Sequence, residues 1–125
     1  MLNKGLRDDE AIRIDNVLKT LRSLDFVPQF LTDDEKFEVE NQLKEFGLNI
    51  QTLADYNNEE LITLLIRNHL DFNQLEQFAD FLMDFSKVES YNFTAKALAI
   101  YQYIQRESKV FSFGINAKIA SAKNK

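Results

Sequence analysis

His69 is the chain's one histidine, and there is no cysteine. These two facts limit the chemistry available. Without cysteine there is no disulfide framework, thiol nucleophile or Cys-ligated zinc or iron–sulfur site. A Ser/His/Asp assembly rests on geometry that one His does not encode. His69 follows "LLIRN" at the expected end of a helix, where a protonated imidazole interacts favourably with the dipole, so it reads as a capping or surface residue. Carboxylates alone can catalyse when one of them has a raised pKa. The acids here fall at expected helix starts or on expected wet faces, where the ionised form is favoured. Glu76, Asp80 and Asp84 are spaced one helical turn apart and could attract a divalent cation or a basic partner; they read as a solvated helix face. "DDE" at 8–10 and at 33–35 lacks the alternating oxygens and central glycine of a calcium loop. No Glu-x-x-His pair is present for a di-iron bundle, and three scattered glycines build no phosphate cradle. The sequence therefore predicts a protein that is not an enzyme, with no catalytic residues, metal or cofactor.

Recognition is what remains. "VFSFG" places Phe111 and Phe113 around Ser112, either tucked under the last helix pair or presented as two aromatic anchors. Arg106, Lys109 and Lys118 stand beside them in a basic segment. These five residues, Phe111, Phe113, Arg106, Lys109 and Lys118, are the predicted partner-binding set. Net charge is −5 but unevenly spread. Residues 33–89 hold fourteen acids and four bases, whereas residues 90–125 hold one acid and six bases. An acidic body repels phosphates; the basic tail could reach for them, lie on the acidic body, or stay solvated. The tail lacks a helix-turn-helix signature and aromatic interleaving, so nucleic acid is an unlikely partner.

Those residues need a scaffold, and the spacing of apolar residues is helical. Ile14, Val17, Leu18, Leu21 and Leu24 form one stripe. Pro28 then opposes continuation. "TDDE" from Thr32 to Glu35 fits a capping box, and Gly47 suits the left-handed stop of that helix. A short helix is expected over "IQTLADY". Asn57, with Glu60 three residues on, caps the next, in which Leu61, Leu64 and Leu65 face inward; Ile62, Thr63 and Ile66 leave a strand as its alternative. Asp71 caps a helix running to about Ser86, "SKVESYN" is a loop, and a further helix covers about 94–108. Gly114 is expected to break the final stretch, with a last short helix after it. Residues 1–9 and 120–125 are expected to fray.

The segment "NQLEQFADFLMDF" (73–85) carries apolar residues over an arc of about 200°, twice the stripe a surface helix needs. Each buried Phe contributes about 1.5–3 kcal/mol, so this helix belongs between two or more neighbours, with its rings as core. Glu76, Asp80 and Asp84 are left as its wet strip. "TAKALAIYQYIQRES" is likewise apolar over most of its circumference.

Leu75, Phe78, Ala79 and Leu82, followed by Ala97, Tyr101 and Ile104, resemble the first- and second-helix signatures of tetratricopeptide repeats. The match spans one unit, about residues 75–109. It has a longer interhelix loop, Ile104 where Ala is usual and Lys109 where Pro often ends the unit. The resemblance implies a helical-hairpin stack used for protein binding.

The sequence thus predicts one all-α domain over residues 1–125, with five to six helices in antiparallel hairpins, as a helical bundle or short repeat-like stack. The functional expectation is a small non-enzymatic protein–protein interaction or regulatory module, with a homo-oligomer compatible. One alternative is a helical carrier of an apolar small molecule within the Phe-rich core. The other is a nucleic-acid-associated factor using the basic C-terminal segment. No apolar run approaches the roughly 18 residues of a membrane span, and the start lacks a signal-peptide block, so the expected location is cytoplasmic and away from the membrane.

Overall fold

The computed structural model describes the backbone of residues 2–109 and 112–124, with side chains from residue 9 onward within that span. In it the chain forms α1 (Leu2–Arg22), α2 (Asp33–Leu43), a 3-10 turn (Lys44–Phe46), α3 (Ile50–Asp55), α4 (Asn58–Arg67), α5 (Phe72–Phe85), α6 (Thr94–Ser108) and α7 (Phe113–Lys123). The described residues contain no strand, so the strand alternative over Ile62–Ile66 gives way to helix.

Among the described residues seven α-helices stand where five to six were expected. Local capping accounts for the difference. The short α3 forms behind its own box, in which Asn49 accepts from the Thr52 amide and Thr52 Oγ1 accepts from the Asn49 amide. At the C-terminal end, Ser112 Oγ accepts from the Ile115 amide at 3.2 Å. This cap starts α7 ahead of Gly114, so the glycine lies in the first turn and does not break the helix. Met1 and Lys125, within the ends expected to fray, lie outside the described residues, as do Val110 and Phe111.

The other caps match the sequence signals. Thr32 and Glu35 form the box of α2, Asn57 and Glu60 that of α4, and Asp71 and Gln74 that of α5. The 3-10 turn ends at Gly47, whose φ of 75° is the left-handed conformation that glycine adopts without a Cβ penalty. The Leu48 amide then closes back onto the Leu43 carbonyl at 3.0 Å.

The core is built on α5. Leu75, Phe78, Ala79, Phe81, Leu82 and Phe85 are all buried. Phe81 stacks on Phe85 at 5.5 Å, Phe85 on Tyr91 at 4.8 Å, and Phe26 leans on Phe85 at 5.1 Å. Phe46 meets Phe78 edge-on at 6.0 Å. Spacings of this kind are favourable for ring quadrupoles, so the aromatics reinforce one another as well as burying area. From α1, Ile14, Val17, Leu18 and Leu21 are buried; the helix ends at Arg22, and Leu24 beyond it is half-buried. In α4, Leu61 and Leu65 are buried and Leu64 half-buried.

Packing follows the order α2, α1, α5, α6, α7, each helix lying against the next, with α4 also against α6 and α3 against α2. α5 and α6 run antiparallel: Phe85 meets Phe93 at one end of the pair, and Phe72 meets Tyr103 at the other. Gln74, 3% exposed, ties α5 to α1 by donating to Asp15 Oδ1 at 2.9 Å. A buried amide of this kind is stable only because its hydrogen bonds are made.

Candidate interaction surface

The polar centre of the molecule is Asp80. α5 aims it toward α6 and α7, and its side chain is 13% exposed. Tyr101 donates its hydroxyl to Asp80 Oδ1 at 2.6 Å. Lys118 of α7 donates to Asp80 Oδ2 at 2.9 Å and to Glu76 Oε2 at 2.5 Å. Arg22 of α1 approaches Asp80 Oδ2 at 3.5 Å, and Lys87 approaches Asp84 at 3.7 Å. The row Glu76, Asp80, Asp84 is therefore not the wet strip the wheel of one helix predicts. Cations from α1 and α7, and Lys87 just beyond α5, cover it, because the acids face neighbours that a single-helix wheel does not include.

Each charge in this group is compensated inside the chain. Burial, with the hydrogen bond to the Asp80 carboxylate, pushes the Tyr101 phenol well above the ordinary tyrosine range. Burial works to lower the Lys118 ammonium, but the hydrogen bonds to Glu76 and Asp80 outweigh it and leave its pKa above the ordinary lysine value. A neutral phenol and a charged ammonium are the forms that hold Asp80 in place. The arrangement acts as a clamp joining α1, α5, α6 and α7. Beside it lies a shallow depression of about 310 Å³ lined by Asp80, Met83, Lys87, Tyr101, Lys118 and Ser121, among others.

The predicted partner-binding residues are divided by the structure. Lys118 is engaged in the clamp. Phe111 lies outside the described residues. Arg106 lies in the last turn of α6, Lys109 follows that helix, and Phe113 begins α7. Phe113, at the start of α7, is 81% exposed. Lys109 follows α6 in the left-handed conformation at φ 58°, with its side chain exposed. Arg106 pairs with Glu107 at 3.1 Å and sits over the Tyr103 ring at 5.7 Å. Tyr103 in turn meets Phe72 at 6.4 Å, and Phe72 is 42% exposed.

Sequence reasoning missed Phe72 as an exposed residue and the half-buried Tyr103 as its neighbour. Tyr103 lies in a helix that is apolar over most of its circumference, and Phe72 precedes the 73–85 segment whose apolar arc predicts core. It also missed Phe37, which is 70% exposed. The signal was available: Val39 and Leu43 define the buried face of α2, and Phe37 stands about 200° from Val39 on a helix.

His69 follows α4 in the left-handed conformation at φ 70°, its Nε2 3.8 Å from Glu10 Oε1. Among the described residues, no group of three or more His, Asp or Glu is arranged to hold a metal ion. No helix among them is long and apolar enough to cross a membrane. Comparisons with protein-family models, with curated proteins and with solved structures found no match.

Proposed function

We propose that this chain is a non-enzymatic protein-binding module whose contact surface is the corner between α6 and α7. The observation that carries the reading is Phe113, a ring 81% exposed at the first position of α7, on a chain whose preceding helix holds Arg106 over the Tyr103 ring, itself tilted against the exposed Phe72. Aromatic residues and Arg dominate the energetics of protein contacts: rings bury large area with few rotatable bonds, and the planar guanidinium both stacks and donates several hydrogen bonds. Phe78, Phe81 and Phe85 of α5 are by contrast committed to the interior, and the Asp80 carboxylate of the polar centre is held by Tyr101, Lys118 and Arg22. The hairpin of α5 and α6 carries the tetratricopeptide-like spacing, which supports the same reading. The excess of bases over residues 90–125 favours a partner surface that is acidic.

The test is affinity capture from native cells with the wild-type chain and with an Arg106→Ala/Phe113→Ala double variant. The expected result is a specific partner held by the wild type and lost by the variant, with the melting temperature nearly unchanged. Equal capture by both chains would remove this corner as the contact surface.

A further inference from the structure

One asparagine stands apart in the sequence. Of the chain's eleven, only Asn92 has a hydroxyl residue two positions on, in the triplet Asn92-Phe93-Thr94. Asn-x-Ser/Thr is the acceptor pattern for attaching sugar to an asparagine amide, and it carries weight where the asparagine lies on a surface loop. The structure supplies that setting. Asn92 is exposed, in the loop between α5 and α6. Its Oδ1 accepts from the Thr94 amide at 3.2 Å and from the Thr94 hydroxyl. A backbone amide can only donate, so this contact fixes which end of the side chain is oxygen. The Nδ2 end makes no hydrogen bond among the described residues. Beside it lies a shallow depression of about 220 Å³ lined by Met83, Ser86, Glu89, Tyr91, Asn92 and Thr94, with room for one pyranose ring. Met83 and Tyr91 offer apolar surface to the C–H face of such a ring, and Glu89 an acceptor for its hydroxyls.

We infer that Asn92 is a glycosylation site, its side-chain amide taking a sugar from a donor activated as a phosphate or pyrophosphate ester. In the transfer, Nδ2 attacks the anomeric carbon of the sugar. A C–N bond forms, the C–O bond to the phosphate breaks with its electron pair leaving on the phosphate, and one Nδ2 hydrogen departs as a proton to a base of the transferase. The bonds from Thr94 stay on Oδ1, so the fold accommodates the product without losing a contact. Timing follows from the residue between. Phe93 is 5% exposed, its ring lies 5.7 Å from that of Phe85, and its amide donates to Ser86 Oγ at 2.7 Å. A transferase cannot draw the triplet into an extended pose without pulling Phe93 from the core, so transfer precedes closure of the α5–α6 loop. α6 has 15 residues, about 22 Å of length, so a sugar at Asn92 sits away from Arg106 and Phe113 at the other end of the helix.

Intact-mass spectrometry of the full chain isolated from its native cells, followed by peptide mapping, tests this. The expected mass exceeds the 14.6 kDa of the polypeptide by a sugar located on Asn92. Its size separates the two donor sources: a monosaccharide points to a nucleotide-activated sugar, a preassembled oligosaccharide to a lipid-linked one. Thr94→Ala and Asn92→Gln, expressed in the same cells, should each lose the addition completely, whereas Thr94→Ser keeps it. Asn92 and Thr94 also hold the start of α6. Circular dichroism therefore checks the helicity of each variant, and Thr94→Ser separates loss of the acceptor from loss of the fold. A native chain at the bare polypeptide mass, an addition mapped to another residue, or one that survives Thr94→Ala overturns the inference.

Discussion

Asp80 shows how much one side chain can hold. It accepts from Tyr101 and Lys118 and lies against Arg22, so three other helices meet at one carboxylate. Removing the phenol with Tyr101→Phe should cost about 1.5–3 kcal/mol, the range for a hydrogen bond to a charged group, measured by urea unfolding at pH 7. The same contact sets a pH dependence. Tyr101 and Lys118 both have raised pKa values in the folded chain. Their stabilising contribution is complete below the unfolded values and is lost as pH rises through the folded ones. Stability should therefore decline above about pH 10, and Tyr101→Phe should decline less steeply. A variant with an unchanged alkaline slope would show that Tyr101 does not contribute to it. Gly47 makes a separate residue-scale case. Nothing lies within 4 Å of a Cβ built there, but its φ is 75°. Gly47→Ala should cost about 1–2 kcal/mol from backbone conformation alone, and a neutral result would mean the turn rearranges freely.

Among the elements, α7 depends most on a single cap. Ser112 satisfies one of the four unpaired amides at its start. Ser112→Ala should destabilise the protein by about 1 kcal/mol, and Ser112→Gly by only a few tenths; thermal melts of the pair check the order. Helix starts were the part of the fold most legible in the sequence. Thr32 with Glu35, Asn57 with Glu60, and Asp71 are local signals, complete within four residues, and each caps the helix it announces. The start of α7 was less legible because Gly114 carries the stronger apparent signal, a break, while one serine side chain decides the outcome. The clamp was the least legible. Lys118 reaches Asp80 across 38 positions, and helical spacing describes one face of one helix, not what packs upon it. Phe113 and Arg106 could be singled out from composition near a glycine and a run of bases. The contact of Tyr103, which Arg106 covers, with Phe72 needed the antiparallel pairing of α5 and α6.

For the whole molecule, the described phenylalanines fall into two groups, buried and exposed. Phe26, Phe46, Phe78, Phe81, Phe85 and Phe93 close on one another as the core, while Phe30, Phe37, Phe72 and Phe113 are exposed. The uneven charge, acidic in the middle of the chain and basic at its end, was visible in the sequence. What the fold adds is that one basic residue, Lys118, is spent within the molecule, whereas Lys109 and Lys123 remain exposed. The division of the rings is the central claim, and paired urea denaturation of Phe81→Ala and Phe113→Ala tests it most directly. Phe81→Ala should lose about 3–5 kcal/mol, a large share of a domain's stability, while Phe113→Ala should stay within about 0.5 kcal/mol of wild type. Comparable losses in the two variants would contradict the account, placing Phe113 in the core and leaving the α6–α7 corner without its anchor.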